Sequence, residues 1–193
     1  MMIRIIFTCF LLIMISSIRS SAQSLQTLTP ELLWKIGRVA LDCVSPDGKY
    51  AVYGVQRYDL PKNKSARVLY VVDIKTGETR ALTNPEETAS DAEFRPDRKR
   101  IGFLRDGKLC EVSPESSHIV KVSDEEFNGF HYAPNGQYIL FTRDVKMDKT
   151  APEVYPDLPN TTGRVIDNLF FRHWKSWRNY TYSNVCYAGY CDS

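Results

Sequence analysis

The sequence predicts an all-β fold: a partial β-propeller of about two and a half four-stranded blades, with a short C-terminal amphipathic helix. Three observations predict it. The composition favours strands joined by tight turns, since 11 Tyr and 9 Phe stand beside 10 Gly and 10 Pro. A turn-plus-strand unit recurs three times without gaps. The runs between those units supply further strands, four in about 40 residues.

The chain has 193 residues, 43% hydrophobic and 25% charged, which suits one ordinary domain able to bury a core. Disorder and coiled coil do not fit these figures. The formal charge is +2. Arg4 and Arg19 lie in the N-terminal leader, and without them basic and acidic residues balance. No nucleic-acid or anionic-membrane partner is indicated.

Met1 to Ala22 reads as a secretory signal peptide. Arg4 is its positive end, Ile5 to Ile15 its apolar stretch, and Ser20 and Ala22 its small cleavage-site residues. That stretch is shorter than the roughly 20 residues of a membrane span. The reading is an exported protein, periplasmic or secreted, without a stable membrane anchor; an uncleaved anchor is the alternative. Residues 23–36 carry a short helix that Thr29 caps, Pro30 opens and Gly37 ends.

The three repeats are Val44 to Tyr53, Phe94 to Phe103 and Tyr132 to Phe141. Each has an apolar residue two before a Pro (Pro46, Pro96, Pro134), then Asp or Asn, then Gly, with Arg98 in place of Gly in the second copy. Pro sets the second turn position, and Gly accepts the positive φ where the chain reverses. Five and seven residues after the Pro come apolar residues facing one side: Ala51 and Tyr53, Ile101 and Phe103, Ile139 and Phe141. The second half also aligns. Arg67 to Asp73 is a strand run, Lys75 to Gly77 a turn and Glu78 to Leu82 a return; Lys108 to Val112, Ser113 to Ser117 and His118 to Val122 match them. Asp59 to Ala66 is expected to be a polar loop. Blade one thus covers Gly37 to Asn84 and blade two Pro85 to Asp124. Blade three starts at Glu125 without completing its second hairpin, and residues 37–185 form the incomplete propeller.

Lys146 to Thr162, with Pro152, Pro156 and Pro159, reads as an extended loop. Ile166, Leu169, Phe170, Trp174 and Trp177 follow at helical spacings and predict the amphipathic helix. Cys186 to Ser193 has no evident strand register and reads as an aberrant tail. A closed propeller needs about four to eight blades, so the sequence reads as truncated, with an exposed blade edge open to self-association.

No catalytic, cofactor-binding or metal-ligating residue is assigned. There is no Gly-x-Ser-x-Gly, no Gly-rich phosphate loop and no His-Glu-x-x-His. His118 and His131 fall on predicted strands, and His173 lies beside the aromatic stripe. Cys43 and Cys110 sit in strand-like apolar runs and read as buried free thiols. Cys186 and Cys191 lack a second ligand pair for zinc. Glu86-Glu87 and Asp124-Glu125-Glu126 read as solvated turns between blades. Asn63, Asn160 and Asn179 match glycosylation acceptors, a match without meaning in a bacterial host.

Leu28-Thr-Pro-Glu-Leu-Leu-Trp-Lys-Ile-Gly-Arg38 followed by Val44-Ser-Pro-Asp-Gly-Lys49 resembles the start of exported bacterial prolyl-oligopeptidase-type serine peptidases, the dipeptidyl-peptidase and acylaminoacyl-peptidase group. Tyr155 to Pro159 and Arg164-Val-Ile-Asp-Asn-Leu-Phe-Phe-Arg-His-Trp-Lys-Ser-Trp177 are similar to a family segment ahead of the next blade. The resemblance covers Leu28 to Val185. It implies an N-terminal propeller that gates peptide substrates into a C-terminal hydrolase domain. The family's Ser, Asp and His all lie in that second domain, and no position here matches them. The chain as it stands is therefore expected not to be an enzyme and to need no cofactor. The alternatives are a non-enzymatic TolB-like propeller module for protein interaction and a complete small β-protein with its own function.

Overall fold

Residues 27–163, 172–173, 176–177 and 180–190 are described by the structure, a computed structural model. The leader Met1 to Ala22 lies outside them. Helix α1 (Pro30–Lys35) opens the described chain. As expected, Thr29 caps it, its Oγ1 accepting the Leu32 N–H at 3.2 Å.

Three antiparallel sheets of three or four strands follow. The first contains β1 (Arg38–Val44), β2 (Tyr50–Asp59), β3 (Lys64–Asp73) and β4 (Thr79–Ala81), in that order. The second contains β5 (Ala89–Phe94), β6 (Ile101–Arg105), β7 (Lys108–Val112) and β8 (Ile119–Glu126), again in order. These are two four-stranded meanders, the topology of propeller blades. The third holds β9 (Gly129–Tyr132), β10 (Tyr138–Lys146) and β13 (Thr181–Gly189), with β10 central. The fold is all-β and propeller-like, as the repeat predicted.

The three repeat turns are the same object. Ser45 donates its N–H to Tyr50 and its carbonyl accepts from Gly48; Arg95 does so with Arg100 and Arg98, and Ala133 with Tyr138 and Gly136. All three closing residues have positive φ: Gly48 at 70°, Arg98 at 63° and Gly136 at 68°. The second copy thus forces Arg98 into a conformation that favours glycine.

The repeat also sets the packing. In the second copy, positions five and seven after the Pro face the preceding sheet, and position six faces the following one. Ile101 and Phe103 of β6 meet Val52, Leu69 and Val71 of the first sheet in one core cluster. On the other face, Leu104 and Leu109 join Phe130, Tyr132 and Ile139 in a second. The middle sheet is covered on both faces, so β6 reads Ile-Gly-Phe-Leu without a polar residue. Val39 and Leu41 on the first sheet, and Leu140, Val185 and Tyr187 on the third, are exposed.

Several expectations are corrected. The loop at Asp59 to Ala66 shrinks to the turn Leu60 to Asn63, because the β2–β3 ladder runs out to the pair Asp59 and Lys64. Asp124 to Glu126 end strand β8 rather than forming a turn, since Lys108 still pairs with Glu126. Within the loop after β10, helix α2 (Ala151–Val154) forms a single turn. Glu153 ties it down, accepting from the Thr150 N–H at 2.7 Å and from Lys146 Nζ at 2.6 Å. Most of the expected C-terminal helix lies outside the described residues. Within it, β11 (Arg172–His173) and β12 (Ser176–Trp177) pair antiparallel, so the described part is a pair of strands rather than a helix. Aromatic residues at helical spacing serve strands as well, and pairing decided.

The tail is the largest correction. Cys186 to Gly189 are not out of register. They pair residue by residue with β10, from Phe141↔Cys186 to Tyr138↔Gly189. The third sheet thereby gains a third strand after a long excursion, although no fourth strand lies among the described residues. Residues 191–193 are outside them.

Candidate functional site

Two strand irregularities build the main groove. Strand β1 bulges between Leu41 and Cys43, and β5 between Ser90 and Glu93, where Asp91 takes φ 54°. A bulge turns side chains out of the regular alternation. Asp42 is turned inward and is held there. Its carboxylate pairs with the Arg67 guanidinium and accepts the Ala92 N–H at 3.2 Å. Arg67 also donates to the Ala89 carbonyl at 3.1 Å. It reaches that far only because Gly54 has no side chain: a Cβ there would lie 2.1 Å from the guanidinium carbon.

This clamp ties the first sheet to the second and floors a groove of about 650 Å³. Ser90, Asp91 and Glu93 supply one polar wall, and His131 of β9 comes within 3.1 Å of Glu93. Leu41, Phe130, Leu140 and Val185 supply the apolar wall. Ser90 Oγ donates to Asp91 at 2.9 Å. Among the described residues, no group of three or more His, Cys, Asp or Glu is placed to hold a metal.

A second polar network locks the second sheet to the third. Glu111, almost fully buried, accepts from Tyr132 at 2.6 Å and from Tyr190 at 2.5 Å, and Arg95 lies 3.4 Å away. Arg95 also pairs with Asp97 and donates to the Tyr190 hydroxyl at 2.8 Å. Burial, reinforced by Glu111, pushes the Tyr190 phenol up to about 12 and raises Tyr132 further. The hydrogen bond from Arg95 lowers Asp97. Burial pushes the Cys43 thiol up to about 12, away from nucleophilic use at neutral pH. Cys43, Cys110 and Cys186 are free thiols.

Of the histidines, His131 sits on a strand as expected and faces the groove. His118 precedes β8 by one residue instead of lying on it, and His173 is on β11. Sequence reasoning passed over Asp42, Arg67, Asp91 and Tyr190. A signal existed for two of them: Asp42 and Arg67 are lone charges inside apolar strand runs, where a charge is retained only if paired.

Two successive four-stranded meanders packed face to face define a propeller-type β-domain, and the relatives make the class specific. No protein-family model matches the chain. It is 34% identical over 156 residues to dipeptidyl-peptidase 5 of Porphyromonas gingivalis, covering 78% of this chain and 23% of that protein. It is 30% identical to dipeptidyl-peptidase 5 of Porphyromonas endodontalis over the same shares. Among solved structures, an acylaminoacyl peptidase in complex with Z-Gly-Gly-Phe-chloromethyl ketone superposes with TM-score 0.58 at 12% identity, over 78% of this chain and 23% of that one. The chain belongs to the dipeptidyl-peptidase 5 family, and it spans about a quarter of the length of the relatives it matches. No helix among the described residues is long and apolar enough to cross a membrane.

Proposed function

We propose that this chain is the propeller portion of an exported dipeptidyl-peptidase, and that it admits and positions peptide substrates rather than cleaving them. The observation that carries this is the 34% identity to a dipeptidyl-peptidase 5, which runs over 78% of the chain. The groove agrees with it. Bulged backbone, the polar wall of Ser90, Asp91 and Glu93, and the apolar wall of Phe130 and Leu140 offer an extended peptide both hydrogen bonds and apolar contact. Cleavage itself requires a nucleophile with its base and an oxyanion site, which the family resemblance assigns to another domain.

A domain exchange tests the reading. The matched segment of the Porphyromonas gingivalis enzyme is replaced by residues 28–190 of this chain, and kcat/KM is measured on a chromogenic dipeptide and on peptides of increasing length. Retained dipeptide cleavage with an altered length preference is expected. A folded chimaera whose length profile matches the parent's would remove the positioning role. Release of product by this chain alone, blocked by a serine-directed inhibitor, would overturn the non-catalytic reading.

A further inference from the structure

We infer that the turn end of the second sheet carries a receptor for a small oxyanion, built from Lys99, Arg100, Ser113, Ser116 and His118 beside the buried Arg95. These side chains line a cup of about 350 Å³, and none of them lines the groove at Asp42. Two turns of one sheet form the cup, and both have counterparts in the first sheet. The turn after Pro96 repeats the turn after Pro46, so Arg95, Lys99 and Arg100 stand where Ser45, Lys49 and Tyr50 do. The turn after β7 repeats the turn after β3. Glu78 donates its N–H to Thr76 Oγ1 at 3.2 Å, and His118 donates its N–H to Ser116 Oγ at 3.0 Å. Ser113 and His118 thus replace Asp73 and Glu78.

These exchanges reverse the local charge. At the first sheet's positions one cation, Lys49, stands with two carboxylates, Asp73 and Glu78. At the second sheet's positions three cations meet a hydroxyl and an imidazole where those carboxylates stood. The carboxylates nearby are committed elsewhere. Asp97 pairs with Arg95 and accepts the Lys99 N–H at 3.0 Å. Glu111 accepts from two phenols and from Arg95. Among the described residues Lys99 makes no ion pair, and Arg100 comes only within 3.9 Å of Glu111.

The first sheet shows what such a pair of turn positions holds. Lys49 Nζ lies 3.5 Å from a Glu115 carboxylate oxygen, and the Tyr50 hydroxyl donates to the same oxygen at 3.1 Å. The corresponding pair here is Lys99 with Arg100, and a guanidinium offers an oxyanion a planar fork where a phenol offers one hydrogen. The serines add neutral donors. Ser113 Oγ accepts the Glu115 N–H at 3.3 Å and Ser116 Oγ accepts the His118 N–H, which leaves each hydroxyl hydrogen for a ligand. Glu115 itself is turned away to Lys49. Cations with hydroxyls select the chemistry shared by a phosphate and a carboxylate.

The test is an NMR titration of the full chain at constant ionic strength. The probes are inorganic phosphate, a tripeptide with a free C-terminal carboxylate, and the same tripeptide as its amide. The amide signals of Lys99, Arg100, Ser116 and His118 should shift saturably with phosphate while those of Asp91 and His131 in the groove stay in place. Lys99→Gln should weaken binding about fivefold, and Lys75→Gln, on the corresponding turn of the first sheet, should not change it. Ser113→Asp combined with His118→Glu gives the cup the first sheet's carboxylates on a turn that already accommodates them. This variant should lose binding with an unchanged circular dichroism spectrum. Binding of phosphate alone assigns the cup to a free anion; binding of the peptide acid but not its amide, competed by phosphate, assigns it to a peptide carboxylate, and either result supports the receptor. The absence of a saturable shift with every probe would overturn it, as would undiminished binding in the Ser113→Asp, His118→Glu variant.

Discussion

Gly102 is the position at which the structure makes its sharpest demand. In the repeat it stands where blade one has Val52, a fully buried apolar residue. The pattern alone would accept a larger side chain there, and Gly→Ala inside a strand ordinarily stabilises by about 0.5–1 kcal/mol. Here a Cβ would lie 2.2 Å from the Tyr132 hydroxyl and 2.9 Å from two of its ring carbons. Gly102→Ala must push Tyr132 off Glu111. The lost bond to a buried carboxylate costs about 1.5–3 kcal/mol and the overpacking about 1–3. A net destabilisation of about 3 kcal/mol is expected, a fall in Tm of roughly 6–12 °C for a domain of this size. Tyr132→Phe alone should cost about 1.5 kcal/mol, because Tyr190 and Arg95 still serve Glu111. The hydrogen bond can be lost only once, and removing the hydroxyl relieves the closest contact. The double variant should then fall short of the sum by about 2 kcal/mol. Urea unfolding of the four proteins measures the cycle. Additive costs, or a neutral Gly102→Ala, would refute the account of why glycine stands there.

Arg98→Gly should stabilise by about 0.5–1 kcal/mol in the same unfolding assay, since a left-handed non-glycine costs about 1–2 and glycine returns part of that as chain entropy. Arg67→Met should destabilise by about 3 kcal/mol by stranding Asp42, whose side chain is 8% exposed; adding Asp42→Leu should recover part of the loss. Stability should be flat up to about pH 9 and then decline. Cys43 and Tyr190 have ordinary values of 9.0 and 10.0, both raised in the fold to about 12, so each favours the folded state below its ordinary value and loses that contribution as pH rises toward 12. Phenolate absorbance should show Tyr190 titrating late in the wild type and the late step reduced in Tyr190→Phe. In acid, Glu153, held near 2 chiefly by Lys146, should keep its bonds to Thr150 well below its ordinary 4.5. Proton titration by NMR checks it, and Lys146→Met should raise that value.

Much of the architecture was legible because it is local and repeated. A Pro-Asp-Gly turn fixes its own hydrogen bonds, and the strand after it alternates, so turn, strand and face could be taken from ten residues at a time. The element at Thr181 to Gly189 failed the same test because its partner, β10, lies across an excursion of more than 30 residues. Only Val185 and Tyr187 stand two apart, and nothing local marked which strand they would join. The stretch through Trp177 failed for the opposite reason: its local period suggested a helix that pairing overruled in the described part.

The sequence by itself determined the fold class, the blade turns, the faces of the three strands that follow them and the likeness to dipeptidyl-peptidases, since each is carried by short stretches of chain. Tertiary structure decided the groove, the Asp42–Arg67 clamp, the Glu111 network and the place of β13. Those depend on contacts between residues distant in the chain, 25 positions for Arg67 with Asp42 and 79 for Tyr190 with Glu111. No periodicity encodes such a contact. It exists only once the sheets stack and a missing side chain, at Gly54 or Gly102, leaves room for a distant one.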